Sequence, residues 1–209
     1  MLVTMTTNTS LENRTELPDF AALLPIREIE KVVEGWVLDD IPSFDVGGLV
    51  VASRTIGLAH LYMKSPGVFA GKPFFDSVFR TLNCQCEWNT DIAVEGRYLD
   101  PGTSKLHLAT VKGSVKHILQ GERTALNTIS RCSGVATASA KAVQVARQEQ
   151  WNGWVAGTRK TTPGSFRMVE KYGLLVGGAA THRLDLSQMA MLKDNHTVAA
   201  GSIDRKSVV

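Results

Sequence analysis

Three short stretches in the last third of the chain carry the residue types that could do chemistry. Gly157-Thr158-Arg159-Lys160-Thr161-Thr162-Pro163-Gly164 runs out of an apolar segment into a polar, basic turn, and Met191-Leu192-Lys193-Asp194-Asn195-His196 does the same. Between them, Gly177-Gly178-Ala179-Ala180-Thr181-His182-Arg183 is a glycine-rich loop that ends in two more potential cations. Arginine grips a carboxylate or phosphate through two parallel hydrogen bonds, and lysine supplies a compact point charge. An isolated loop Arg or Lys is ordinarily solvated, and an isolated His is ordinarily structural. The joint placement of Arg159, Lys160, His182, Arg183 and Lys193 sets an anion site beside that plainer reading. The chemistry done on such an anion stays open at this level.

Those loops need strands behind them, because ligands of α/β proteins bind at the C-terminal ends of strands. Trp154–Thr158 and Ala190–Lys193 read as strands and Phe166–Tyr172 as a helix, an alternation that predicts βα units in a parallel arrangement. Upstream, Ile26, Ile29, Val32, Val33, Trp36 and Val37 recur at helical spacing within Leu23–Asp40, and Ile41-Pro42 ends that helix. From Leu49 to Ile118 the texture is short apolar runs divided by Gly and Pro. Val50–Ser53, Gly57–Met63, Cys84–Trp88 and Lys105–Lys112 are expected strands, with a helix over Pro73–Leu82 packed on them. Glu122–Gln148 is expected as one long helix whose small residues, Ser133, Gly134, Ala136, Ala138 and Ala140, suit close packing within the chain or across a dimer. The expected organisation is a tail over 1–18, an α+β sandwich domain over 19–121, the long helix over 122–150, and part of an α/β barrel over 151–209.

The 209 residues, 44% hydrophobic and 21% charged, suit a globular chain with a substantial core. A net charge of +3 without basic runs argues against nucleic-acid binding. Cys84, Cys86 and Cys132 match neither a disulfide framework nor a zinc spacing and read as reduced packing residues. The Thr- and Asn-rich start has no apolar signal region, no segment approaches a membrane span, and a cytoplasmic location is expected.

The ordered blocks also carry a resemblance. Gly121-Glu122-Arg123-Thr124-Ala125-Leu126-Asn127, Arg131-Cys132-Ser133-Gly134-Val135-Ala136-Thr137, the 157–164 block, Glu170-Lys171-Tyr172, Gly177-Gly178, Thr181-His182-Arg183 and Lys193-Asp194-Asn195-His196 together resemble the quinolinate phosphoribosyltransferase family, eukaryotic type, from about Leu23 to about Gly201. The resemblance implies transfer of phosphoribosyl from phosphoribosyl pyrophosphate to quinolinate, with loss of pyrophosphate and carbon dioxide. The product is nicotinate mononucleotide, in NAD synthesis. It implies that Arg159, His182 and Arg183 hold the quinolinate carboxylates and that Lys160 and Lys193 face the pyrophosphate. Thr161 adds a hydroxyl, and Arg123 reaches the site of a neighbouring subunit in a homo-oligomer. Mg2+ is implied as bound with phosphoribosyl pyrophosphate.

Two departures accompany it. Ser165-Phe166 stand where the family usually has one hydrophobic residue, so Ser165 is expected to be absorbed in the loop as a helix N-cap. An α/β barrel takes about 250 residues, so 151–209 holds about two βα units. The family's later acidic residues and phosphate loop have no counterpart here. The expectation is an incomplete barrel, as in a splice isoform or incomplete gene model, poorly stable by itself. The alternative function is therefore a non-catalytic interaction partner of full-length subunits, and a third is a related enzyme acting on another ring acid.

Overall fold

A computed structural model of the chain describes residues 17–51, 55–160 and 162–201. Helix α1 (Ile26–Asp40) buries Ile29, Val33 and Val37, one residue per turn along a single stripe, as the apolar spacing requires. Strand β1 (Ile56–Met63) follows, then the short β2 (Gly67–Val68) and helix α2 (Lys72–Thr81), which carries Pro73 in its first turn. Strands β3 (Gln85–Trp88), β4 (Tyr98–Leu99) and β5 (Leu106–Ser114) complete the sheets. Three strands form an antiparallel sheet in the order β1-β5-β3, and β2 pairs with β4 in a separate ribbon. One sheet face packs on α2, where Phe74, Phe75, Val78 and Phe79 are buried against Phe69, Ala109 and Val111. This is the α+β layer the sequence predicts.

The predicted strand at Val50–Ser53 is not met. Gly47–Val50 is a turn of 3-10 helix, shaped by the Asp45 carboxylate accepting the Gly48 N–H at 3.0 Å, while residues 52–54 lie outside the described set. The expected tail likewise falls outside it as far as residue 16.

Helix α3 (Val115–Gln148) has 34 residues, about 51 Å at 1.5 Å per residue. It starts seven residues before the expected Glu122, directly after β5 with no intervening loop. Helix α4 (Arg167–Val176) lies on α3 and joins the same core through Val169, Tyr172 and Val176. Tyr172 stands edge-on to Phe74 at 5.5 Å. The approach of α4 to α3 depends on Gly173, where a Cβ would sit 2.7 Å from the Cys132 carbonyl oxygen. The three cysteines are free, and Cys84 and Cys132 are buried as packing residues.

The barrel strands are the main correction. Trp154–Thr158 contributes one bridge, Ala156 to Ala180 in parallel, rather than a full strand. Ala190–Lys193 is irregular and exposed and pairs with no described strand; it leads into the short helix α5 (Asp194–Ala200). The parallel α/β geometry is present in this part of the chain, and its sheet is not closed.

Candidate active site

The bridge places two extended segments side by side. The Gly157 N–H donates to the Ala180 carbonyl and the Ala180 N–H to the Val155 carbonyl, each at 2.8 Å. Immediately beyond lie the two basic pairs, Arg159-Lys160 on one segment and His182-Arg183 on the other. Arg159 and Lys160 are exposed. His182 sits in the left-handed region at φ 60°, a conformation that among non-glycine residues Asn, Asp and His adopt most readily. Its Nδ1 accepts the Arg183 backbone N–H at 2.6 Å, an acceptor role that assigns the ring proton to Nε2. Arg183 is 5% exposed; its Nη1 donates to the Met189 carbonyl at 3.1 Å, and its Nε has no partner among the described residues.

Helices α3 and α4 hold the first of these loops. The buried Glu170 carboxylate accepts Arg131 Nη2 at 2.9 Å and Nε at 3.2 Å. It also accepts the Thr162 N–H at 3.0 Å and the Thr162 hydroxyl at 2.6 Å. Burial pushes the Glu170 pKa up, but the hydrogen bonds from Thr162 and Arg131 outweigh it and hold the carboxyl below its ordinary value. The next residue, Lys171, is 4% exposed, and its ammonium donates to the Thr158 carbonyl at 2.8 Å and to the Thr181 carbonyl. Burial, then the neighbouring Arg167, lowers its pKa, with Glu170 opposing.

Sequence patterning anticipated the cationic pairs and missed this support. Arg131, Thr162, Glu170 and Lys171 received no role, although a charged pair flanked by the apolar Val169 and Tyr172 is a break in an amphipathic helix that signals buried, partnered charge. Ser165 does not cap α4: Phe166 takes the N-cap position, and the Ser165 hydroxyl accepts the Trp36 indole N–H at 3.1 Å. The insertion thus ties the loop to α1. Lys193 is exposed at the N-cap of α5, its N–H donating to His196 Nδ1 at 3.1 Å, and it is not drawn into the hydrogen-bonded cluster around Lys171. Arg123 is exposed on α3 and makes no hydrogen bond or ion pair with a described residue. Thr161 lies outside the described residues.

A cleft of about 660 Å³ opens between α3 and α4, lined by Arg131, Val135, Thr158, Lys160, Glu170 and Leu174, a size that suits a small ligand. A second cleft of about 490 Å³ lies beneath α1 and α2, where Asp19, Glu30, Asp76 and Glu95 outnumber Lys72 and Arg80. That charge balance disfavours an anion, so the first cleft is the better candidate; of the sequence-predicted site residues only Lys160 lines it, and Arg159, His182, Arg183 and Lys193 do not. No group of three or more His, Cys, Asp or Glu side chains that could hold a metal occurs among the described residues.

Two segments of the chain match models of one family: residues 45–133 match the quinolinate phosphoribosyl transferase N-terminal domain, and residues 135–208 match its C-terminal domain. The chain therefore belongs to the quinolinate phosphoribosyl transferase family. It is 51% identical to the nicotinate-nucleotide pyrophosphorylase [carboxylating] of Rattus norvegicus over 88% of its own length and 58% of that protein. With the Homo sapiens protein of the same name it is again 51% identical, over 60% of that protein. Among solved structures, NadC from Streptococcus pyogenes superposes with a TM-score of 0.77 at 31% identity, covering 88% of this chain and 64% of that one. The chain thus spans about three-fifths of the length of the curated relatives it matches.

Proposed function

We propose that this chain binds quinolinate and phosphoribosyl pyrophosphate and takes part in phosphoribosyl transfer with decarboxylation, giving nicotinate mononucleotide, pyrophosphate and carbon dioxide. The observation that carries the reading is the bridge between two adjacent segments, each running into two basic side chains. Arg159, His182 and Arg183 grip the two carboxylates. The Arg183 Nε, which has no partner among the described residues, and the protonated Nε2 assigned to His182 are donors that suit them. Held this way, the ring nitrogen is presented to the anomeric carbon, a proximity contribution. Lys160 and Lys193 stabilise negative charge as it develops on the departing pyrophosphate, with Thr161 adding a hydroxyl. No side chain acts as a nucleophile. Mg2+ would enter bound to phosphoribosyl pyrophosphate, since no cluster of three or more His, Cys, Asp or Glu side chains occurs among the described residues.

Arg123, exposed on α3 and without a hydrogen bond or ion pair to a described residue, suits a role in the site of a neighbouring subunit of a homo-oligomer. A cytoplasmic location is part of the proposal; no helix among the described residues is long and apolar enough to cross a membrane. A second reading, a non-catalytic partner of longer subunits, is favoured by the exposed apolar side chains Trp154, Leu186, Leu192 and Val198, with Trp154 82% exposed. Quinolinate-dependent pyrophosphate release by the purified chain, with magnesium, tests the first reading. Turnover is expected to vanish in Arg159→Ala. Quinolinate binding without turnover, together with co-purification with a longer subunit, selects the second.

A further inference from the structure

A buried ammonium is held in its charged form only if hydrogen bonds or counter-charge replace lost water. Lys171 forms no ion pair with any described residue; the ion pairs among the described residues are Arg80–Glu30 and Arg131–Glu170. What it has instead is two carbonyl oxygens, and their identity is informative. Thr158 directly precedes Arg159, and Thr181 directly precedes His182. One ammonium therefore joins the last backbone group before each basic pair. Two acceptors sharing one nitrogen lie within about 6 Å of each other, twice a hydrogen-bond length. That fixes the spacing from which the two pairs start.

We propose that Lys171 is a positioning residue for the ligand: by clamping the Thr158 and Thr181 carbonyls together it sets the separation of the Arg159-Lys160 and His182-Arg183 pairs, so that they engage two adjacent carboxylates at once. The clamp thereby selects a ring 1,2-dicarboxylate over a monocarboxylate. A ligand with one carboxylate needs one pair and is indifferent to the spacing, whereas a ligand with two loses the benefit of the second contact when the loops drift apart. The inference rests on the quinolinate reading above and deepens it.

The test uses the 209-residue chain and its Lys171→Met variant, with Lys171→Gln as the second variant should the first not fold. Two readouts are needed. Amide hydrogen exchange reports the clamp without any ligand, through the Gly157 and Ala180 amides that bridge the two segments. Exchange at both is expected to rise about tenfold or more in the variant, the scale of one charge-assisted hydrogen bond. The Gly177 amide at the end of α4, bonded to the Gly173 carbonyl, should be unchanged. Calorimetric titration with quinolinate, nicotinate and picolinate then reports selectivity. The ratio of dicarboxylate to monocarboxylate affinity, which does not depend on the fraction folded, should fall about tenfold or more. Unchanged exchange at Gly157 and Ala180, or loss of protection that extends equally through α4, overturns the clamp. An unchanged affinity ratio overturns the selectivity. A wild-type chain that binds none of the three ligands refutes the functional reading and the selectivity with it, while the exchange comparison still decides whether Lys171 holds the loops.

Discussion

Glu170→Gln should destabilise the chain by an amount that can be worked from its four contacts. The two from Arg131 involve a side chain 55% exposed, and an ion pair so open to solvent contributes about 0–1 kcal/mol. The two from Thr162 end on a carboxylate whose side chain is 10% exposed, and bonds to a buried charge are worth about 1.5–3 kcal/mol each before relaxation. Glutamine keeps one acceptor oxygen and turns an amide toward a donor, so part of this is retained. A net loss of about 2–4 kcal/mol follows. For a chain of this size that lowers the midpoint of thermal unfolding by roughly 5–12 °C. The sign with pH is also fixed. Glu170 titrates below its ordinary value of 4.5 in the folded chain, so its stabilisation is complete above that value and is lost as pH falls through the lower folded pKa. Urea unfolding of both chains at pH 7 and pH 3 measures it, and the gap should be wide at neutral pH and narrow in acid. Equal stability at pH 7, or a gap that persists undiminished at pH 3, would show that the carboxylate does not anchor the loop.

Glu95 behaves in the opposite sense. Burial raises its pKa to about 7 against the backbone N–H bonds from Lys72 and Gly71, so the unfolded chain releases this proton first. Stability from this group is therefore lost as pH rises from about 4.5 to about 7, and the Glu95→Gln variant should gain on the wild type across that interval in a pH series of urea melts. Gly173→Ala places a Cβ against the Cys132 carbonyl and should cost about 1–3 kcal/mol, read by the same melts, with α4 displaced from α3. Burial raises the pKa of all three thiols and hides Cys84 and Cys132, so a thiol-exchange reagent at pH 8 should label those two only at the rate of unfolding, and fast labelling of more than one thiol in the native chain would contradict this.

Elements whose residues speak for themselves were legible in the sequence. The stripe of Ile29, Val33 and Val37 defined α1, and the cluster of Phe74, Phe75, Val78 and Phe79 defined α2 to within a residue. The start of α3 was not, because Gly121 looks like a breaker when only its neighbours in sequence are seen. In space it lets α2 approach, with a Cβ there 2.8 Å from Leu82 Cδ1. Strand formation at Trp154–Thr158 depends on partners elsewhere in the chain, which local periodicity does not report. The same division holds at the site. The Arg159-Lys160 and His182-Arg183 pairs are adjacent in sequence and show themselves. Arg131 and Glu170 stand 39 residues apart, and their bond exists only through the packing of two helices.

The long helix has a consequence for how this molecule can come apart. The two family segments meet at residues 133 and 135, which is the middle of α3, beside the buried Cys132 and Ala136. A cut there would sever a continuous rod and strip Val169, Tyr172 and Val176 of the surface they lie on. The halves recognised by ancestry are thus unsuited to exist as separate folding units, and melting of one end should carry the other with it in a single transition.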